Sequence, residues 1–410
     1  MSRLLGTLFL LGLRASGLLS KFLLTLFIAR EMTLADLGFY GLIAVGATLV
    51  PALFGLGLNG PAGRALVDLN TEAALKLGAT RVGVTALLHL LLTPVIVAVL
   101  AFALPADQLP LIALVAITLF LENLGSDLNA ILLSRFRAKT AAIFLFIRSG
   151  AWPIVFIAWA WFEPAYRTIP AMMTFWLASL LLIGLLVAVI IATQGYFKSI
   201  RFDVAQAREM IARGRHFYLA DIGNNGALYL DRFLVTTFLG LEATGIYTFF
   251  WALTNAINNV ILFGVTSPKA PSIIAAVNQG DKSVILRVCK SMLKEIWLWC
   301  LGLSILLIAV MPALLAQLGN DKFDQHKAVF LIMLLATGLR TVSEGMGNIL
   351  YAHHQDARIA RISMVAMALS AVLILALAPA FELPGVAVAM LLAAVFVFVW
   401  RRRISGALLA

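Results

Sequence analysis

The chain repeats itself. Gly38-Phe39-Tyr40 recurs as Gly245-Ile246-Tyr247, Pro61 recurs as Pro268 and Pro105 as Pro312, each pair 207 residues apart in a chain of 410. An offset so close to half the length marks a duplication, so both halves must adopt one architecture. Composition then decides the solvent. With 62% hydrophobic residues and only 12% charged, the chain has too little polar surface for a soluble globule of its size. Its apolar runs approach the ~20 residues that cross a bilayer as helix, and they lack the alternation of barrel strands. The expectation is an all-α membrane protein of two related lobes, the usual build of secondary transporters.

Hydropathy places about twelve spans, at 5–28, 37–61, 82–104, 109–133, 141–162, 170–193, 216–240, 244–268, 291–316, 328–352, 359–379 and 383–400. Six fall in each half: an N-terminal lobe at 1–193, a linker at 194–215 and a C-terminal lobe at 216–410. The first span carries Arg14 and Lys21 and is followed by no small-residue cleavage site, so it is expected to be retained. Cys289 and Cys300 lie ~16 Å apart along one helix, beyond disulfide reach.

Lysine and arginine set the orientation. With both termini cytoplasmic, the outside loops hold only Arg30, Arg167, Lys322 and Lys327. Arg14, Lys21, Arg148, Arg232 and Arg340 fall well within spans, Lys294 and Arg361 lie at the inner ends of theirs, and the remaining basic residues fall inside. The net charge of +11 therefore reads as topology and attraction to anionic lipid, not nucleic-acid binding. Arg401-Arg402-Arg403 is expected to anchor the last helix at the inner surface. The linker offers Asp203 as a cap, Val204, Ala207 and Ile211 as an apolar face, Arg208, Arg213 and Arg215 as a basic one and Gly214 as a stop. That pattern predicts an amphipathic helix on the inner leaflet.

An ionisable side chain in mid-span costs ~3 kcal/mol or more unless it meets a partner or a cavity, so each one is a functional candidate. These are Arg14 and Lys21 in span 1, His89 in span 3, Glu122 and Asp127 in span 4 and Arg148 in span 5. Asp221, Asp231 and Arg232 follow in span 7, and Arg340 and Glu344 in span 10. Span 7 copies span 1 at the offset of 207. Span 10 copies span 4 at 218 once the loop Gly319 to Lys327 is allowed for, which sets Arg340 against Glu122. Arg14 and Lys21 step by seven, Asp221, Asn224 or Asn225, Leu228 and Asp231 by three or four, and Arg340, Glu344 and Asn348 by four, so each set forms one stripe on a helical face. With Glu122 and Asp127 on span 4, the four polar helices facing inward would line a central cavity.

Each candidate has a structural alternative. Arg340 and Glu344, at i and i+4, serve equally as a packing pair or a cavity wall. Asp231 and Arg232 point about 100° apart, so only one faces a given way. Arg14 and Asp221 stand close enough to a helix start to snorkel. His89 reads as a hydrogen-bonded packing residue, His353-His354 as an exposed loop pair with no metal role, and Thr254, Asn255, Asn258 and Asn259 as sugar contacts or helix glue. No G-x-x-x-x-G-K-[ST] or H-E-x-x-H motif is present, which leaves no basis for ATP hydrolysis or zinc chemistry, and no cofactor is expected.

The opening third resembles a known family. Phe22-Leu23-Leu24-Thr25-Leu26-Phe27-Ile28-Ala29-Arg30, Ala35-Asp36-Leu37-Gly38-Phe39-Tyr40-Gly41-Leu42 and Leu53-Phe54-Gly55-Leu56-Gly57-Leu58 are similar to the N-terminal signature of polysaccharide-biosynthesis membrane proteins. These are the O-antigen and capsule repeat-unit flippases of the multidrug/oligosaccharidyl-lipid/polysaccharide exporter superfamily. Asp231-Arg232-Phe233-Leu234-Val235 and Gly245-Ile246-Tyr247 carry a weaker likeness in the second half. The resemblance implies two six-helix lobes in a V, alternating access, and transfer of an undecaprenyl-pyrophosphate-linked oligosaccharide across a bacterial inner membrane. Twelve spans depart from the fourteen helices of lipid-linked peptidoglycan precursor flippases.

A pyrophosphate in a low-dielectric cavity calls for cations, and Arg14, Lys21, Arg148, Arg232 and Arg340 are the candidates for phosphate or acidic-sugar contacts. Glu122, Asp127, Asp231 and Glu344 are candidates for gating or for coupling to protons or sodium. Membrane lipids and polysaccharide-assembly proteins are the expected partners. A multidrug and toxin extrusion antiporter is the alternative, with an acid-dominated cavity, and a non-transporting scaffold is the third.

Overall fold

The computed structural model describes residues 2–103 and 109–409, and among these there is no strand. Pro105, one of the repeat markers, lies outside them. The helices are α1 (Ser2–Glu31), α2 (Leu34–Phe54), α3 (Asn59–Asp68), α4 (Thr71–Ala103), α5 (Leu109–Ser134), α6 (Ala138–Phe146), α7 (Trp152–Phe162) and α8 (Ile169–Thr193). They continue as α9 (Val204–Ile261), α10 (Ser267–Gln279), α11 (Lys282–Leu318), α12 (Asp321–Gln325), α13 (Lys327–Ala352) and α14 (Asp356–Leu409).

Among the described residues ten helical segments are long and apolar enough to cross a membrane, and this is a multi-pass membrane protein. The expected count was twelve. The difference lies in α9 and α14, each continuous except for one non-helical residue, Gly240 (φ 82°) in α9 and Glu382 (φ 51°) in α14. At Gly240 the chain doubles back, since Thr236 Oγ1 meets Thr244 Oγ1 at 2.8 Å and Tyr247 reaches Asp231. A straight helix would hold Asp231 and Tyr247 ~24 Å apart. A positive φ suits glycine, which has no Cβ to clash.

The linker corrects one expectation. Asp203 caps as predicted, accepting from the Gln206 N–H at 3.0 Å, and its carboxyl is held below the usual carboxylate range first by Lys76 at 2.7 Å and then by that N–H. Gly214, however, stops nothing: α9 runs through it, and the glycine packs against the Leu56 carbonyl and Gly57. The buried face is also different. Ala207 and Met210 join Leu58, Ala62, Leu66, Ala74 and Leu77 in an apolar core beneath α3 and α4, whereas Val204 and Ile211 are exposed. The expected second span, 37–61, also ends early at Phe54, where Leu56 and Gly57 take positive φ and α3 starts anew.

The polypeptide forms two compact units, Met1–Phe27 with Leu42–Ile222, and Ile28–Gly41 with Gly223–Ala410. Within the second unit the duplication is visible as a reciprocal contact. Gly38 lies against the Leu241 carbonyl and Gly245 against the Leu34 carbonyl, and both pairs of partners are related by the offset of 207. A Cβ at either glycine would collide with backbone. Beyond α2 the register slips in two steps. The caps Asn70 and Asp281 relate α4 to α11 at 211, because α10 has 13 residues where α3 has 10, and α5 and α13 then match end to end at 218. Part of the shift assigned above to the loop Gly319 to Lys327 therefore arises earlier.

Candidate functional site

In the first unit, α1, α5 and the segment joining α6 to α7 bring three predicted residues together. Arg148 lies in a π-helical turn, Ile147–Ala151, whose extra residue rotates the side chain onto α5. Its Nη1 donates to the Glu122 carbonyl at 3.0 Å and its Nε stands 3.6 Å from the Glu122 carboxylate. Gly125 makes room, because a Cβ there would meet the arginine's Cδ. Trp176 of α8 donates to Glu122 Oε2 at 3.3 Å and stacks on Trp152 with centroids 4.9 Å apart. Lys21 lies within electrostatic reach of both Glu122 and Arg148. Arg148 is thus the partner of the carboxylate, with Lys21 as a second basic side chain nearby. Arg14, two turns earlier on α1, is exposed.

Asp127 stands apart from that group. It is fully buried and closed by Arg81 at 2.6 Å and by the Thr85 hydroxyl at 2.7 Å, while Arg81 also donates to Asn59. One turn along, His89 pairs with Asn123 at 2.9 Å. Arg81 and Trp176 escaped the sequence reading. Arg81 sits at the end of a basic inside segment, where a lysine or arginine reads as topology, and only the fold brings it to a carboxylate 46 residues away. Trp176 lies in an unbroken apolar run with nothing to distinguish it.

In the second unit the polar residues line a cavity of about 290 Å³ between α9, α13 and α14. Asp231 faces it, accepting from the Tyr247 hydroxyl and from the Arg232 N–H at 2.8 Å. Arg232 turns the other way, buried with its guanidinium carbon 4.0 Å from the centroid of Trp251. Arg340 and Glu344 both line the cavity, 3.6 Å apart, and Arg340 donates to Asn255 at 2.6 Å. Asn258 accepts from Thr341 at 2.9 Å, so these two asparagines bind α9 to α13. Of the three arginines expected at the inner surface, Arg401 points into the cavity, donating to the Ser343 carbonyl at 3.0 Å, while Arg402 and Arg403 are exposed.

The architecture is shared with transporters of the MOP superfamily. An inward-facing multidrug resistance MATE family transporter superposes with TM-score 0.73 at 15% identity, over 96% of this chain and 95% of that one. An outward-facing one gives 0.64 at 14%, over 96% and 94%. A Pyrococcus furiosus MOP superfamily transporter, reported with a binding pocket of reverse polarity, gives 0.63 at 14%, over 97% and 93%. At these identities the likeness is one of fold. No curated protein matches the chain. The family is fixed by sequence: residues 27–292 match the model for polysaccharide biosynthesis proteins, and the chain belongs to that family.

Proposed function

We propose that the protein is a transporter, not an enzyme, and that it moves a lipid-linked oligosaccharide repeat unit from the inner to the outer leaflet of a bacterial inner membrane by alternating access. Membership of a polysaccharide-biosynthesis family supports a saccharide cargo. The observation that carries the reading is the cluster of Lys21, Arg148 and Glu122, where Arg148 lies 3.6 Å from the carboxylate and Lys21 within electrostatic reach of both among membrane-spanning helices. An excess positive charge in low dielectric is costly unless an anion answers it, and a diphosphate headgroup is such an anion. In this reading Arg14, Lys21 and Arg148 contact phosphate, Arg340 faces the sugars, and Glu122 holds the two cations in place between transport events. Asp231 and Glu344 take coupling roles, with Asp127 as the clasp of Arg81. Both termini are cytoplasmic, and glycosyltransferases or a polymerase are the natural partners.

Deleting the gene tests this. Lipid-linked repeat units are expected to accumulate on the cytoplasmic face with loss of surface polysaccharide, both reversed by the intact gene. Unchanged surface polysaccharide together with altered resistance to cationic drugs would favour an antiporter.

A further inference from the structure

The cavity of the second unit has a counterpart in the first, and there it is filled. At the offset of 207, Lys21 corresponds to Leu228; at 218, Arg148 corresponds to Ala366 and Trp152 to Ser370; past the shorter turn at Glu382, where Leu383-Pro384 matches Ile169-Pro170 at 214, Trp176 corresponds to Met390. All four second-unit residues line the cavity. Glu122, on which the first-unit side chains converge, corresponds to Arg340. One repeat therefore closes its interior with a guanidinium and two indoles, while the other has lost those groups and reversed the charge at the base.

The space suits a ring, not an ion. A volume of about 290 Å³ holds about ten waters at ~30 Å³ each, the room of one hexose. Asn224, Ser363 and Ser370 offer hydrogen bonds to hydroxyls, and Ala393, Ala394 and Val397 form an apolar wall for a ring face. The charges decide which sugar. Arg340 is paired with Glu344, and Asp231 is held by Tyr247 and the Arg232 N–H. Arg401 makes one hydrogen bond, to the Ser343 carbonyl, and its Nε is buried without a partner. Glu344, the carboxylate that acts on Arg401 electrostatically, is already engaged by Arg340. A buried guanidinium with unused donors calls for an acceptor, and a planar carboxylate matches its geometry.

We infer that this cavity binds one acidic sugar residue of the transported unit, its carboxylate on Arg401 and its hydroxyls on Asn224, Ser363 and Ser370. The inference rests on the transport reading for its substrate class, but its test is direct binding. Glucuronate, glucose and acetate are titrated against the purified full-length protein in nanodiscs, followed by saturation-transfer NMR. Glucuronate is expected to bind saturably and at least about tenfold more tightly than glucose or acetate. Arg401→Gln should weaken it at least about tenfold. Ala394→Trp, which sets an indole in the cavity, should abolish it, and Ala394→Leu, a smaller intrusion, should weaken it with the fold intact. No glucuronate binding to folded wild-type protein, equal binding of glucose or acetate, or indifference to both Arg401→Gln and Ala394→Leu would overturn the inference. Gene deletion separates the two ideas: repeat-unit accumulation without glucuronate binding removes only the acidic-sugar site, and glucuronate binding without accumulation removes the flippase.

Discussion

The two repeats solve one problem in opposite ways. In the first unit Glu122 is answered from within, by Arg148 and Trp176, with Lys21 left as the basic group in excess; in the second Arg340 and Arg401 line open volume. The same holds one turn along the fifth helix of each repeat. Asp127 is clasped by Arg81 and Thr85, whereas its counterpart Gly345 packs against Met292 and Ile296, the counterparts of Arg81 and Thr85 at the offset of 211. A charge buried among apolar helices must be answered, but protein and cargo can both supply the answer. Only the packing around it tells which.

The largest effect expected from this contrast is at the Arg81–Asp127 pair. Asp127→Ala leaves a guanidinium buried without its carboxylate and should cost about 3–5 kcal/mol, read as a fall in melting temperature of the purified protein. Arg81→Met with Asp127→Leu, which imitates the apolar solution of the second repeat, should recover most of that loss. A single variant as stable as the wild type would break the comparison. A middle effect is expected at Gly345, where a Cβ would lie 2.5 Å from Ile296 Cδ1. Gly345→Ala should cost about 1–3 kcal/mol through overpacking, and a neutral result would show that α11 yields freely.

The smallest effect belongs to the linker. Lys76→Ala removes the partner that keeps the Asp203 carboxyl below its usual range. A carboxylate depressed on folding stabilises above its unfolded pKa, and the benefit fades as pH falls through the folded value. Wild type should therefore melt slightly above Lys76→Ala at neutral pH, and the gap should close on acidification. A gap that widens in acid would assign the contact a different role.

Much of this was legible in the chain. Apolar runs and the offset of 207 are local signals, and they yield the helices, the duplication and the charged candidates on α1, α5, α9 and α13. Direction and partnership were not legible. Asp231 and Arg232 are neighbours in sequence, yet one faces the cavity and the other stacks on Trp251, a choice made by the hairpin at Gly240. Arg401 reads as a headgroup anchor because it opens a run of three arginines, and only the packing of α14 on α13 shows its side chain entering the cavity. Gly214 reads as a helix stop, whereas its lack of a side chain serves close packing on Leu56 and Gly57.

The central claim is that positive charge at Lys21, beside Arg148 and Glu122, serves an anionic lipid-linked cargo. The direct measurement is the sidedness of lipid-linked repeat units in cells whose only copy of the gene carries Lys21→Arg or Lys21→Glu, at matched membrane abundance. The account predicts that Lys21→Arg sustains surface polysaccharide. It predicts that Lys21→Glu, which sets a second carboxylate beside Glu122, strands repeat units on the cytoplasmic face. Normal export by Lys21→Glu would contradict it.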